Sequence, residues 1–497
     1  MKTALMVWGA SSGAGKSLLA TALCRWAARA GIDVAPFKAQ NMSNNARVVP
    51  LSAHPAGEDS GGGELGEIGA AQYFQALAAR IQPHVDLNPV LLKPERDTAS
   101  QVVLQGRVDP ALSRLPWRER SAALAAAAHA SFLRLAAKHE LLVIEGAGSP
   151  AEINLAPQDY VNLGTARWAR GLGALRALLV VDVDRGGAFA HLHGTWSLLP
   201  DDLRPALSGF VLNKFRGDAA LLAPGPAQLQ ALTGVPLLGV LPMQRDHGLP
   251  DEDGVYAAPV GSGTPGPRIA VVAWPRISNL DEFQPLTTAA SLRWAHSAAE
   301  LEGADWIVLP GSKQVSSDLA WLRSQGLVEP ILRHVRQGRP LLGICGGLQV
   351  LGEWLADPEG VDGPAHGSLP GLGLLPLTTQ YAAPKRLRAA PVRFGKLTSP
   401  WQGLSELTWP AYEIRCGRTD ASGTAATPVL FDGAGQPIGW QAGSVLGVAT
   451  HGLFEDTTAL RALFGRGVRT LDSSLDGLAD LIDAQLGGAT LRALLQV

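Results

Sequence analysis

A glycine-rich loop lies between an apolar segment and a predicted helix near the start of the chain. Residues 9–17 read Gly-Ala-Ser-Ser-Gly-Ala-Gly-Lys-Ser, after the apolar run 4–8 and before the Ala- and Leu-rich run 18–30. Such a loop lets consecutive backbone N–H groups point at phosphate oxygens, and the helix N-terminus adds a favourable dipole. The usual phosphate-binding loop has one residue fewer after its first glycine. We interpret the stretch as a longer variant; the alternative is a plain glycine turn.

The motif assigns a role to each polar residue in it. Lys16 supplies a positive charge for nucleotide phosphates, and the hydroxyl of Ser17 is expected to bind Mg²⁺. Gly9, Gly13 and Gly15 are expected to let the backbone approach the phosphates closely. Together with Asn213, described below, these five residues form the predicted nucleotide site.

The length and the order of elements predict two α/β domains. A chain of 497 residues is too long for one ordinary core. Residues 249–267 are rich in Asp, Gly and Pro, which predicts a linker. We expect a nucleotide-binding domain over 1–248, built as a doubly wound parallel sheet, and a second α/β domain over 268–497. A helix around 286–300 is predicted between the first two strands of the second domain.

Composition excludes several classes of function. The net charge of −2 gives no basic excess, so no nucleic-acid partner is indicated. No apolar run approaches the ~20 residues of a membrane span, and the N-terminus lacks a signal pattern, so a cytoplasmic protein without a membrane partner is expected. Three scattered cysteines cannot form a disulfide framework or a metal knuckle. Any cysteine that matters would act alone, as a thiol.

Polar residues follow several predicted strands of the first domain, where open α/β sheets bind ligands. Lys38 and Asn41 lie in such a segment and are candidates to hold a substrate carboxylate; an Asn-rich turn that bonds its own backbone is the alternative. Glu145 ends a buried strand beside glycines, which suits a Mg²⁺ ligand, although strand-end acids are otherwise often caps. Asn213 ends another core strand and resembles the base-reading Asn of nucleotide-binding proteins.

The second informative stretch is 340–352, Pro-Leu-Leu-Gly-Ile-Cys-Gly-Gly-Leu-Gln-Val-Leu-Gly. An apolar strand runs into Cys345, two glycines and a helix, which is the pattern of a nucleophile elbow. The helix N-terminus favours the thiolate form of a cysteine at that position. A buried structural cysteine is the alternative, and the surrounding glycines favour the nucleophile.

A cysteine nucleophile requires a base, which in such folds lies far along the chain. His451 ends a predicted strand and is followed by glycine, whereas His334 and His366 are expected to be solvated surface residues. Glu455 is a candidate to orient His451. Residues 310–313, Pro-Gly-Ser-Lys, could supply oxyanion N–H donors or form an ordinary turn.

Taken together, the chain resembles the cobyric acid synthase family, over nearly its whole length. The two motif sets carry the resemblance, together with segments 36–43 (Pro-Phe-Lys-Ala-Gln-Asn-Met-Ser), 66–72, 88–94, 144–154 and 412–415. Ala39, Arg47 and Arg415 depart from the pattern within otherwise family-like segments.

The resemblance implies a dethiobiotin-synthetase-like nucleotide domain joined to a class I type glutamine amidotransferase domain. It implies a corrinoid substrate, cobyrinic acid a,c-diamide, whose b, d, e and g carboxylates become amides at the expense of ATP and glutamine, with Mg²⁺. Cys345 and His451 would release ammonia, and Lys38, Asn41 and Lys93 would lie near the reacting carboxylate.

Three alternatives remain at this stage. A sister enzyme would amidate the a and c carboxylates of an earlier corrinoid. A partitioning or metal-cluster scaffold ATPase would have a similar phosphate-binding loop, but would have no need of an elbow cysteine and a distant histidine. A binding or regulatory protein with an inactive glutaminase would lack glutamine hydrolysis.

Overall fold

The computed structural model describes residues 1, 3–52, 64–96, 99–244, 247–249, 266–465 and 470–496. The chain forms two compact units. Unit 1 comprises Met1–Ser43, Val49–Asp253 and Leu471–Val497, and unit 2 comprises Asn44–Val48 and Gly254–Thr470. Most of the predicted linker 249–267 lies outside the described residues.

Unit 1 alternates strands and helices along its first 250 residues. Its strands are β1 (Thr3–Gly9), β2 (Val34–Phe37), β3 (Gln40–Met42), β4 (Ala46–Pro50, which begins within the segment assigned to unit 2), β5 (Leu65–Gly69), β6 (Val90–Arg96), β7 (Ala99–Leu104), β8 (Arg107–Val108), β9 (Leu141–Glu145), β10 (Ala174–Asp182), β11 (Leu207–Phe215) and β12 (Leu237–Pro242). Its helices there are α1 (Lys16–Arg29), α2 (Ala70–Ala78), α3 (Pro110–Arg114), α4 (Trp117–Lys138), α5 (Thr165–Leu172), α6 (Ala188–Leu198) and α7 (Gly225–Thr233).

The main sheet of unit 1 is parallel throughout, in the order β12-β11-β10-β1-β9-β2. Both of its faces are covered, and β1 is buried along its whole length. Alternate residues of β1 enter two apolar clusters: Leu5 and Val7 pack on one face, and Met6 and Trp8 on the other. Strands β6 and β7 belong to a separate sheet, β3-β6-β7-β8. The predicted doubly wound sheet is confirmed.

The position of β1 in this sheet determines where the loops meet. Its parallel neighbours are β9, which ends at Glu145, and β10, which ends at Asp182. Because the carboxyl ends of parallel strands share one edge, the glycine loop after β1 lies beside both acids.

Unit 2 is a second α/β structure with more antiparallel pairing. Its strands are β13 (Arg268–Val272), β14 (Ile277–Ser278), β15 (Ser291–Ala295), β16 (Trp306–Leu309), β17 (Gly311–Ser312), β18 (Leu341–Ile344), β19 (Trp354–Asp357), β20 (His366–Pro370), β21 (Leu377–Phe394), β22 (Thr408–Ala421), β23 (Thr427–Phe431), β24 (Pro437–Ala442) and β25 (Val445–Val448). Its helices are α8 (Ala298–Leu301), α9 (Val315–Ser324), α10 (Val328–Arg336), α11 (Gly346–Leu351) and α12 (Thr457–Phe464).

Among the described residues of unit 2, eleven strands form the large sheet, in the order β15-β13-β16-β18-β25-β24-β23-β21-β19-β20, with β22 paired to β21. The five strands from β15 to β25 are parallel to one another. Ile344 at the end of β18 pairs with Val448 at the end of β25. The segments that follow these two strands therefore meet at one edge of the sheet.

The helix predicted around 286–300 is wrong. A run of 3₁₀ turns occupies Leu280–Thr288, and β15 follows as a parallel neighbour of β13. The α-helix in this region is limited to the four residues of α8. Pro285 lies inside the 3₁₀ run, where it has no N–H to continue a helical ladder. Pairing with β13 decides the strand, against the local preference of an Ala-rich sequence.

The C-terminal helices belong to unit 1, so the predicted second domain, 268–497, extends too far. Helices α13 (Leu471–Leu486) and α14 (Gly488–Leu495) place Leu475, Leu478 and Ile482 in the same apolar cluster as α1. Buried Arg25 of α1 pairs with two carboxylates of α13, Asp472 at 3.0 Å and Asp476 at 2.8 Å. Among the described residues, no helix has the length and apolar character to cross a membrane.

Candidate active sites

The glycine loop of unit 1 has the backbone that its sequence predicts. Gly13 and Gly15 have φ angles of 68° and 100°, in the left-handed region that favours glycine. A Cβ atom at Gly15 would lie 1.9 Å from Nδ2 of Asn213, so a side chain there is excluded. Helix α1 begins directly afterwards, at Lys16. The loop and helix thus present the arrangement of a phosphate-binding loop.

Lys16 and Asn213 both bond to the loop itself. The Nζ of Lys16 donates to the carbonyl oxygens of Ser11 and Gly148, each at 3.1 Å. Nδ2 of Asn213 donates to the carbonyl of Ala14 at 2.9 Å. The sequence predicts that Asn213 contacts the nucleotide base, and this stays a prediction; in the structure its side chain holds the backbone of the loop.

Glu145 is the centre of a buried polar cluster. Its side chain is fully buried, and Oε1 accepts hydrogen bonds from Ser17 Oγ at 2.9 Å and Lys38 Nζ at 2.8 Å. Gln75 donates to Oε2 at 2.6 Å, and Gln72 donates to the same oxygen at 3.5 Å. The structure thus brings together three of the predicted site residues, from α1, β9 and the segment after β2.

The oxygens of Ser17 and Glu145 are suitably spaced for Mg²⁺. In an octahedral site with ligands at about 2.1 Å, neighbouring oxygens lie about 3 Å apart, and the observed separation is 2.9 Å. A hydroxyl and a carboxylate are hard oxygen donors of the kind Mg²⁺ prefers, with water and phosphate completing the set. The described residues contain no cluster of three or more His, Cys, Asp or Glu that could hold a metal.

The other predicted substrate residues are buried and engaged within unit 1. Nδ2 of Asn41 donates to Gln72 at 3.0 Å, which connects Asn41 to the Glu145 cluster. Lys93 forms a buried ion pair with Glu67 at 2.5 Å. Neither Asn41 nor Lys93 is more than 3% exposed.

In unit 2, Cys345 occupies a sharp turn between β18 and α11. Its φ of 50° and ψ of −103° are strained for a residue with a side chain. The glycines around it are required: a Cβ atom at Gly347 would lie 1.9 Å from the carbonyl oxygen of Leu309, and one at Gly346 would lie 2.8 Å from the amide nitrogen of Ser312. The turn has the strained strand-to-helix geometry that a nucleophile elbow requires.

His451 follows β25, the strand next to β18, and interacts with Cys345. Nδ1 of His451 lies 2.8 Å from Oε1 of Glu282, which leaves Nε2 for the thiol. Burial lowers the pKa of His451, but the charges of Glu282 and Cys345 and hydrogen bonds to both outweigh it and raise the pKa to about 10. A Cβ atom at Gly311 would lie 2.8 Å from the His451 ring, so the 310–313 segment borders the pair.

Glu282 is a candidate site residue that the sequence does not reveal. It lies in the 3₁₀ run Leu280–Thr288, is fully buried, and also accepts a hydrogen bond from the backbone N–H of Gly452 at 3.2 Å. Glu455, the candidate that the sequence offers for this role, instead pairs with Arg47 at 2.6 Å. Nothing in the local sequence distinguishes Glu282 from other acids. Its partner His451 lies 169 positions further along the chain, and only the fold brings the two together.

Burial decides the expectation for His334 and describes the environment of Cys24. His334 is only 5% exposed and its Nε2 lies 2.9 Å from the carbonyl of Pro340, so the expected solvated histidine is wrong. Cys24 is fully buried, and burial together with the charge of Glu145 raises the pKa of its thiol far above the usual range. Cys24 is therefore an unreactive core residue.

Comparison with known proteins identifies both units. A CobQ/CobB/MinD/ParA nucleotide binding domain matches residues 5–253, and a CobB/CobQ-like glutamine amidotransferase domain matches residues 268–459. The cobyric acid synthase of Methylibium petroleiphilum is 58% identical, over 99% of this chain and 96% of that protein. Those of Leptothrix cholodnii and Variovorax paradoxus are 57% and 55% identical, over 99% of this chain and 97% and 99% of theirs.

The chain belongs to the cobyric acid synthase family. It is therefore an enzyme, a ligase with a glutamine amidotransferase domain and a nucleotide-binding domain. The resemblance stated from the sequence and the two-domain α/β class are confirmed.

Proposed function

We propose that this enzyme uses ATP and glutamine to convert the b, d, e and g carboxylates of cobyrinic acid a,c-diamide into amides, yielding cobyric acid in cobalamin biosynthesis. One observation carries the proposal: an elbow cysteine paired with a carboxylate-bound histidine occurs in one chain with a phosphate-binding loop. The first arrangement releases ammonia, and the second activates the carboxylate that receives it.

The glutaminase half-reaction uses Cys345 and His451. The sulfur of Cys345 attacks the side-chain amide carbon of glutamine, and ammonia leaves with a proton from Nε2 of His451. A glutamyl thioester remains, and water hydrolyses it to glutamate with His451 as the base. Glu282 stabilises the protonated imidazole and fixes its orientation through Nδ1.

The synthetase half-reaction takes place in unit 1. A carboxylate is a poor electrophile, so the terminal phosphoryl group of ATP is first transferred to a carboxylate oxygen, giving an acyl phosphate and ADP. Ammonia then attacks the acyl carbon, and phosphate leaves. Lys16 and the backbone N–H groups of the loop neutralise and position the phosphates. Lys38 and Asn41 are proposed to hold the reacting carboxylate, with Lys93 nearby.

Mg²⁺ would be held by Ser17 and Glu145, and when bound it would neutralise phosphate charge. The pairing of Glu145 with Lys38 links this site to the proposed carboxylate-binding segment. A carboxylate that arrived at Lys38 would compete with Glu145 for its ammonium group.

The test is a substrate panel. The full chain would be incubated with ATP, Mg²⁺, glutamine and each of several corrinoids, and the products identified by mass. Four successive replacements of OH by NH₂ on the a,c-diamide are expected. Amidation only at the a and c carboxylates of cobyrinic acid would assign the sister reaction, and ATP hydrolysis without any amidation would refute the proposal.

A further inference from the structure

Five residues from the early part of the chain belong to unit 2. Residues 44–48 follow the Lys38-containing segment directly, yet they pack with the glutaminase fold. The Oδ1 of Asn45 accepts from the N–H of Leu280 at 3.0 Å, and the N–H of Ala46 donates to Oδ1 of Asn279 at 3.1 Å. The segment is thus hydrogen-bonded to the start of the turn that carries Glu282.

Arg47 extends these contacts to the centre of the glutaminase site. Its side chain is only 2% exposed. Nη1 donates to the hydroxyl of Tyr412 at 2.6 Å, and Nη2 pairs with Glu455 at 2.6 Å and with Asp281. One buried guanidinium therefore connects three separate elements of unit 2.

Two of these partners adjoin the histidine and its carboxylate. Asp281 precedes Glu282 in the chain. The ring of Tyr412 stacks on that of His451, with centroids 5.2 Å apart and planes inclined by 20°. The N–H of His451 also donates to the carbonyl of Tyr412 at 2.9 Å. A displacement of Asp281 or Tyr412 would consequently move Glu282 or His451.

The charges in this region need a cation. The side chains of Asp281 and Glu282 are adjacent and fully buried, and two like charges in such a place repel strongly. Glu282 is compensated by His451, whereas Asp281 and the partly exposed Glu455 are compensated by Arg47. Burial raises the pKa of Asp281, and the charge of Arg47 opposes that rise. Without Arg47, Asp281 would stay an uncompensated buried charge or take up a proton, and in either case the contacts beside Glu282 would change.

We propose that Arg47 is a positioning residue of the glutaminase: it neutralises Asp281 and Glu455 and holds Tyr412, so that Glu282 aims His451 at Cys345. The proposal rests on the glutaminase role of Cys345 and His451. It makes ammonia release dependent on a residue that lies outside the sequence of the glutamine amidotransferase domain, residues 268–459.

The test compares Arg47→Gln with the double variant Arg47→Gln/Asp281→Asn in the full chain. The first leaves Asp281 uncompensated, and the second restores the charge balance without the guanidinium. Arg388→Gln is the matched control, because Arg388 also pairs with a buried acid of unit 2, Asp432. Glutamine hydrolysis and ammonium-driven amidation are measured for each variant, with kcat and KM determined separately.

For Arg47→Gln we expect kcat for glutamine hydrolysis to fall about 100-fold with little change in KM, because the catalytic groups are misplaced and the binding groups are not. Ammonium-driven amidation should be unchanged. In the double variant, kcat for glutamine hydrolysis should be at least about tenfold higher than in Arg47→Gln alone. An unchanged kcat, equal loss with both nitrogen donors, or equal loss in Arg388→Gln would overturn the proposal. Absence of glutamine hydrolysis in the unaltered enzyme would instead refute the proposed function.

If Arg47→Gln does not fold, Tyr412→Phe provides the second variant. It keeps the ring on His451 and removes only the hydroxyl that Arg47 binds. A kcat about tenfold lower is expected, since a hydrogen bond to a charged donor is lost. A Tyr412→Phe enzyme with full glutaminase activity would contradict the proposal.

Discussion

In the proposed mechanism the thiol of Cys345 and the ammonium group of Lys16 serve different half-reactions, so the loss of each should depend differently on the nitrogen source. Cys345→Ala should reduce glutamine-driven amidation by about 10³-fold or more, yet keep amidation from high external ammonium. Lys16→Ala should stop synthesis from either donor, because phosphate charge is no longer neutralised. Product formation is measured with each donor. Cys24→Ala is the control, since Cys24 is a buried core residue of unit 1; equal losses in Cys345→Ala with both donors would contradict the assignment.

Glu282 should determine both the activity and the pH dependence of unit 2. In the folded enzyme the pKa of His451 is raised from 6.5 to about 10. The folded state therefore binds this proton more tightly, and the stability it contributes is full below about pH 6.5 and is lost as the pH rises to about 10. Glu282→Gln removes the opposing charge, so burial should lower the pKa and this pH dependence should largely disappear.

The thermal unfolding temperatures of the unaltered enzyme and of Glu282→Gln, measured between pH 6 and pH 10, test this effect. Glutamine hydrolysis by Glu282→Gln should fall about 100-fold or more, because the imidazolium is no longer stabilised and oriented. Glu455→Gln is the comparison, since Glu455 does not contact Nδ1 of His451. A smaller loss in Glu282→Gln than in Glu455→Gln would show that the orienting role had been assigned to the wrong acid.

Individual site residues were predictable from the sequence where a local pattern requires them. The elbow of Cys345 and the loop of Lys16 depend on nearby glycines whose backbone angles or close contacts forbid a side chain. Glu282 and Arg47 are different, because their roles arise only from partners that the fold brings together. The sequence marked Arg47 as a departure from the family pattern and offered no physical reason for it.

At the scale of elements, the elbow depends on how closely α11 packs against β16. A Cβ atom at Gly347 would overlap the carbonyl oxygen of Leu309, so Gly347→Ala must push the helix away. We expect unit 2 to lose about 1–3 kcal/mol of stability and Cys345 to be misplaced, which lowers glutamine hydrolysis more than ammonium-driven synthesis.

Gly367→Ala is the matched control for the elbow. A Cβ atom there would meet nothing within 4 Å, so the same chemical change should have little effect on either activity. The alkylation rate of Cys345 by iodoacetamide reports its placement independently of turnover. If Gly347→Ala and Gly367→Ala are alkylated at the same rate and are equally active, the packing argument is wrong.

The order of strands, which the sequence does not contain, completes both sites. Cys345 and His451 meet because β18 and β25 are parallel neighbours, although about 100 residues lie between them. Local patterns did predict β18, β25 and the loops after them. They failed for residues 286–300, where pairing of β15 with β13 overrides helix propensity.

At the scale of the whole chain, the sequence predicts two α/β units. It does not predict that two short segments belong to the unit that is more distant in the sequence. Residues 44–48 lie within the sequence of unit 1 but belong to unit 2. The C-terminal helices follow unit 2 in the sequence but belong to unit 1. Helix α13 has an apolar face that could pack on many surfaces. Specific partners in α1 decide where α13 packs. Arg25 pairs with two of its carboxylates, and Nε1 of Trp26 donates to Asp483 at 2.8 Å.

The C-terminal helices should therefore stabilise the nucleotide-binding unit and not the glutaminase to which they are joined. Ile482 is fully buried in the cluster formed with α1, and Ile482→Ala should cost about 2–5 kcal/mol of the stability of unit 1. Glutamine hydrolysis should survive at temperatures where ammonium-driven amidation and ATP consumption have been lost. Heat-inactivation curves for the two activities measure the difference, with Gln485→Ala, on the exposed face of the same helix, as the control. If Ile482→Ala inactivates glutamine hydrolysis first, α13 stabilises unit 2, contrary to the packing in the structure.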